Sequence, residues 1–236
     1  MNQTVLLFGG TSEEKLVSTA SAQNVIQAMT SPLAWFLTPE GQVCDVSPDE
    51  LIHHQDSFKI LLKPKEKPFA DSLQQALPQL KNKTVFIGLH GTEGEDGKIQ
   101  KFFAQNSIAF TGSDSEASAL CFDKVRAKSE ARKTGARLAT QVFLPGQQFL
   151  DNEKLLRDFY KKNKKLVVKP VANGSSFGLH IFDDEKGLQI ALQDMKVHPS
   201  WDYMAEEFII GREITVGVFE NQGKQISLPA SEAIVD

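Results

Sequence analysis

Cysteine is scarce in this chain. Its 236 residues include two, Cys44 and Cys121, and no C-x-x-C pair, so neither a disulfide framework nor a structural zinc site is expected, and a reducing, cytoplasmic setting fits. An excess of positive charge is missing too. Acidic residues number 30 against 26 basic ones, a formal charge of -4, which leaves no electrostatic footprint for nucleic acid and requires any bound anion to be held by local cations. No segment approaches the run of about 18 apolar residues that a membrane-spanning helix needs. The opening MNQTVLLFGG carries no basic stretch ahead of its short apolar run, so it does not read as a secretion signal. Neither nucleic acid nor membrane is an expected partner. Repeats and low-complexity tracts are absent, and so is a Walker A motif: Lys98 is followed by Ile99 and Lys224 by Gln225, where Gly-Lys must be followed by Ser or Thr.

What is present is an alternation of strand and helix signals. TVLLFGG reads as a buried strand ended by glycines, and VSTASAQNVIQAM continues with helix spacing at Val17, Ala20, Val25 and Met29. LAWFL and TVFIGLHG read as further strands, with DSLQQALPQL and KIQKFFAQN as helices. This order predicts an α/β fold, a doubly wound parallel sheet over residues 1–114, with ligands gathered at the carboxyl ends of strands. From Ser115 the pattern changes. SEASALCFDKVRAKSEARKTGA predicts one long helix or two abutting ones, closed by Gly135. A second domain, 115–236, then continues with a strand at TQVFLPG, a helix at NEKLLRDFYKKN and the strand KKLVVKP. A loop, a strand at LHIF, and alternating strand pattern with a turn at ENQGK complete it.

The loop, in LVVKPVANGSSFG, admits three readings. It is a plain hairpin turn, since glycine and asparagine make turns. It literally matches G-x-S-x-G from Gly174 to Gly178, the nucleophile elbow of hydrolases, but that elbow must open a helix and LHIFDD reads as a strand. Or it is a phosphate cradle, in which small residues let backbone N–H groups approach an anion, Ser175 and Ser176 add donors, and Lys169 neutralises charge.

Five separated segments, in this order, together resemble the D-alanine:D-alanine ligases of the ATP-grasp superfamily. They are GGTSEEKLVS, LHGTEGEDGKIQ, TGSDSEASALCFDK, VVKPVANGSSFG and AEEFIIGREITVGV. The resemblance implies an ATP-grasp α+β second domain comprising a central subdomain and the start of a C-terminal lobe. It also implies a reaction: ATP phosphorylates one D-alanine carboxylate, and the amine of a second D-alanine attacks the acyl phosphate. By the same resemblance, Lys124 and Lys169 contact nucleotide phosphates, and the loop with Gly174, Ser175 and Ser176 closes over the transferred group. Glu206 binds the adenine amine, Glu213 the ribose hydroxyls, Glu14 the ammonium of the first D-alanine, and His90 lies beside it. Ser175 completes a hydrogen-bonded link with Glu14, which makes those two the candidate catalytic residues. Glu207 is expected at the surface.

Two departures qualify the resemblance. Leu16 stands where many members carry a glutamate. After SLPASEAIVD, the family continues with a tyrosine-bearing loop, an arginine, and the acids and asparagine that hold magnesium or manganese. The catalytic lobe is therefore expected to be incomplete in this chain, with no metal ligand assigned within it and no dipeptide formed by residues 1–236 alone. The alternatives are a ligase of another D-amino or D-hydroxy acid, or a nucleotide-binding remnant without catalysis. A homodimer is expected.

Overall fold

The computed structural model describes residues 3–234, so the last two residues of the second expected domain, including Asp236, lie outside the described residues. The first half is built on β1 (Gln3–Gly9), flanked on one side by β2 (Leu33–Leu37) and β3 (Val43–Val46), and on the other by β4 (Lys83–Ile87) and β5 (Ala109–Phe110). All neighbouring pairs are parallel except β2 with β3, an antiparallel edge that the sequence reading does not include. The central strand explains the layering. Val5 and Leu7 enter one core with Trp35 and Phe103, while Leu6 and Phe8 enter the other with Phe36 and Ile26, the period of two that a strand buried on both faces requires.

Helices α1 (Lys15–Ala28) and α2 (Pro48–Ile52) supply Ala22, Ile26 and Leu51 to the second core. The first core takes Ala76 from α3 (Leu73–Ala76), Leu80 from a 3-10 turn (Leu77–Leu80), and Ile99 and Phe103 from α4 (Lys98–Gln105). The helix expected over DSLQQALPQL is thus one α turn and one 3-10 turn, because Pro78 lacks the N–H that a continuous helix would use.

Two polar helices follow, α5 (Ser115–Phe122) and α6 (Lys124–Lys133), neither with a buried residue. They abut and do not merge. Asp123 between them is extended, and its carboxylate accepts from the amides of Val125 and Arg126 at 2.9 and 3.0 Å, an N-terminal cap that ends one helix and starts the next. Gly135, with φ +85, lies just past Thr134, the C-cap of α6.

The second half is an antiparallel sheet in the order β6 (Gln141–Leu144), β9 (Tyr203–Glu207), β7 (Leu166–Pro170), β8 (His180–Phe182). One face packs on α7 (Phe149–Asn163) and α8 (Glu185–Val197), burying Leu156, Leu166, Val168, Leu188, Met195, Tyr203 and Ala205. Helix α8 is absent from the sequence reading. By alternation, Lys169 of β7 and Glu206 of β9 face away from this core. Beyond Phe208, β10 (Glu213–Thr215) pairs with β13 (Ser231–Ala233) and β11 (Val218–Asn221) with β12 (Lys224–Ser227), all of them exposed. The turn expected at ENQGK is present, with Gln222 and Gly223 both at positive φ (51 and 76) as a tight hairpin requires. Among the described residues no helix is long and apolar enough to cross a membrane.

Candidate functional site

The first-half part of the site is assembled where β1 and β4 end. Gly9 turns the chain at φ +91, and a Cβ there would lie 2.5 Å from the Leu37 carbonyl oxygen, so only glycine fits. The Ser18 hydroxyl accepts from the Gly9 amide at 2.8 Å and donates to the Gly88 carbonyl at 2.7 Å, tying the two strand ends together. Ser12 Oγ in turn donates to the His90 carbonyl at 2.7 Å and accepts from the Glu14 amide at 3.2 Å. These buried bonds set Glu14 at the start of α1 with its residue surface only 8% exposed. A carboxylate at that depth is stable only with polar or cationic company.

Its company comes from both halves. Two glycines approach it closely: a Cβ added to Gly91 or to Gly174 would lie 2.9 or 2.6 Å from Glu14 Oε1. Ser175 Oγ donates to Glu14 Oε2 across 161 residues of sequence. The link expected between Glu14 and Ser175 is therefore present. His90 contributes its backbone; its ring Nδ1 lies 3.9 Å from Glu95 Oε1 and makes no hydrogen bond to Glu14.

The loop between β7 and β8 has Ser175, Ser176 and Gly178 at φ 47, 58 and 69, and it is turned on itself by the amide of Phe177 donating to the Gly174 carbonyl at 3.0 Å and that of Leu179 to the Ser176 carbonyl at 3.1 Å. It is the hairpin connection, since β7 and β8 pair antiparallel around it. Phe177 seats it, with its ring edge-on to Trp201 at 5.8 Å and to His198 at 6.5 Å. Lys124 Nζ donates to the Asn173 carbonyl, and to that of Val171 at 3.4 Å. Ser176 is exposed.

Beside the loop lies a cluster of charge. Lys169 Nζ is 2.5 Å from Glu206 Oε2, a diagonal pair on adjacent strands, and Lys128 Nζ pairs with Glu206 Oε1. Burial pushes the Lys169 ammonium below its ordinary pKa. Burial first, and the neighbouring Lys169 charge second, do the same to Lys124 and Lys128. Lys128 is the residue that sequence reasoning misses. The one available signal was its place four residues after Lys124, on the same helix face. Glu207, expected at the surface, closes the β6–β9 pair by accepting from the Thr140 amide at 2.8 Å. Glu213 sits exposed on β10, and its side chain joins no ion pair or hydrogen bond among the described residues. The fold thus brings Glu14, Gly174, Ser175, Lys124, Lys169 and Glu206 into one continuous neighbourhood, with His90 at its edge and Glu213 outside it.

Two family models account for most of the chain. That of the D-ala D-ala ligase N-terminus matches residues 3–113, and that of the D-ala D-ala ligase C-terminus matches residues 136–235. The chain belongs to the D-alanine:D-alanine ligase family. A D-alanine–D-alanine ligase of Halalkalibacterium halodurans is 31% identical over 229 residues, 97% of this chain and 64% of the relative. One of Coprothermobacter proteolyticus is 32% identical over 229 residues, 95% of this chain and 64% of the relative. The chain therefore spans somewhat less than two thirds of the length of these curated relatives. Among solved structures, the D-alanine-D-alanine ligase from Coxiella burnetii superposes with a TM-score of 0.79 at 24% identity, covering 99% of this chain and 71% of that one. This likeness identifies the ATP-grasp fold.

Proposed function

We propose that this chain carries the nucleotide and first-substrate sites of an ATP-dependent ligase that joins two D-alanines through an acyl phosphate, in a cytoplasmic step of peptidoglycan precursor synthesis. The observation that carries this reading is the buried Glu14 carboxylate, held between two glycines and one serine hydroxyl at the junction of the two halves. A carboxylate so placed suits the ammonium of a small amino acid, because the contact is charge-assisted and the glycines leave room for little else.

The residues present fit a nucleotide polyphosphate. The positive-φ loop offers backbone donors, and Lys124 and Lys169 are partly desolvated cations that gain by meeting phosphate oxygens. Glu206 supports the adenine amine in this reading, and Glu213 the ribose. Seating of Phe177 against Trp201 would hold the loop down and keep water from the activated carboxyl. A divalent cation is a different matter: among the described residues no three His, Cys, Asp or Glu side chains cluster as its site would need.

Calorimetry tests the assignment. D-Alanine should bind this chain in the presence of ATP, and Glu14→Gln, which keeps the shape and removes the charge, should weaken D-alanine by about tenfold or more while ATP affinity stays put. Equal loss for both ligands, or equal affinity for D-alanine and glutamate, would refute it.

A further inference from the structure

Helix α6 presents Lys124 and Lys128 four residues apart, hence on one face. Lys124 reaches the glycine loop at Asn173; Lys128 reaches Glu206. Glu206 is the most deeply placed of the three partners, its side chain 7% exposed against 21% for Lys128 and 22% for Lys169. Each of its carboxylate oxygens is taken by a different lysine. A carboxylate at that depth needs one cation to stay ionised, and removal of a sole partner is strongly destabilising. Here there are two. The surplus has a use if one lysine must be free to leave.

We infer that Lys128 is a positioning residue that holds Glu206 as its standing counter-ion and so releases Lys169 to bind phosphate. The inference rests on the nucleotide reading above, in which Lys169 meets the polyphosphate. In the geometry described, Lys169 is tied to Glu206 at 2.5 Å. Drawing it toward a phosphate would strand a buried negative charge if no other cation stood by. With Lys128 in place, Glu206 keeps a partner throughout and stays fixed at the end of β9. The exchange breaks one ion pair and forms another, with charge balanced at each stage. Lys128 touches Oε1 and not the loop, so its effect on phosphate runs through Glu206 and Lys169.

The test uses inorganic tripolyphosphate, which reports the phosphate-binding lysines without adenine contacts, titrated calorimetrically into the full chain. Lys128→Met should weaken it by about tenfold, since Lys169 becomes the sole partner of Glu206. Lys128→Arg should remain within about twofold of the unaltered protein. The deciding variant is Lys128→Met with Glu206→Gln: removing the carboxylate frees Lys169, and affinity should return to within about twofold. If the double variant stays as weak as Lys128→Met, then Lys128 is itself a phosphate ligand and the inference fails. It fails equally if Lys128→Met binds as the unaltered protein does. Should Lys128→Met not fold, Glu206→Gln alone decides: tripolyphosphate affinity should rise, and a fall overturns the inference. Lys169→Met separates the two readings. Unchanged tripolyphosphate affinity in that variant refutes the nucleotide site itself, whereas loss there with no change in Lys128→Met refutes only the role of Lys128.

Discussion

A single added carbon at position 174 would meet Glu14. The Cβ of an alanine there lies 2.6 Å from Oε1 in the geometry described, closer than any real side chain sits, so the loop must withdraw or the carboxylate must turn. Either movement disturbs the bond that Ser175 makes to the carboxylate's other oxygen. Gly174→Ala should therefore weaken D-alanine binding by about tenfold, the size of one charge-assisted hydrogen bond, while the melting temperature stays unchanged because Gly174 lies outside the buried core. A melting temperature that falls with the affinity would show a folding defect instead. The same scale explains what was legible in the sequence. Glu14, Ser175 and Lys169 stand beside glycines and small residues whose presence already asks for a reason. Lys128 stands in KVRAKSEARK, where every charged residue has the bland explanation of a solvated helix, and only the position of β9 against α6 singles it out.

Among elements, the break between α5 and α6 positions the site. Had the helix run on through residue 123, Lys124 and Lys128 would point elsewhere, since a helix fixes side-chain directions by turn. Asp123→Ala removes the cap made to Val125 and Arg126 and should cost about 1 kcal/mol, seen as a fall of about 2 to 4 °C in melting temperature for a chain of this size. No fall would mean that the break is imposed by packing and not by the cap. Whether one helix or two stood here could not be decided from apolar spacing, because neither helix buries a residue and so no stripe marks its register. The opposite holds for α8. Leu188, Ala191, Leu192 and Met195 recur at helical spacing behind the cap of Asp184, a legible signal that the sequence reading does not include. Strand β3 was hard for a different reason: four residues, VCDV, are too few to show alternation.

At the scale of the molecule, the buried residues among those described stop at Glu206, and everything from Ile209 to Ile234 is exposed. The two small sheets there, held in part by the bidentate pair of Arg212 with Glu232 at 2.7 and 2.6 Å, add nothing to either half's core. A chain ended after Gly211 should accordingly melt within about 2 °C of the full chain; a larger fall would mean that these sheets pack on the rest in solution. The sheets and the link before them also display Ile209, Ile210, Ile214, Val218 and Phe219 to solvent.

The cores of the first half draw on residues up to Phe110 and that of the second on residues from Val142 onward, with no member in common. The hydrogen bond from Ser175 to Glu14 is thus a joint between two bodies that are each complete without it. An amino acid whose ammonium took Glu14 would either compete for that joint, and so free the angle at which the bodies meet, or reinforce it, and so fix that angle. Occupancy of one carboxylate would then be readable at a distance, as a change in the radius of gyration measured by small-angle scattering.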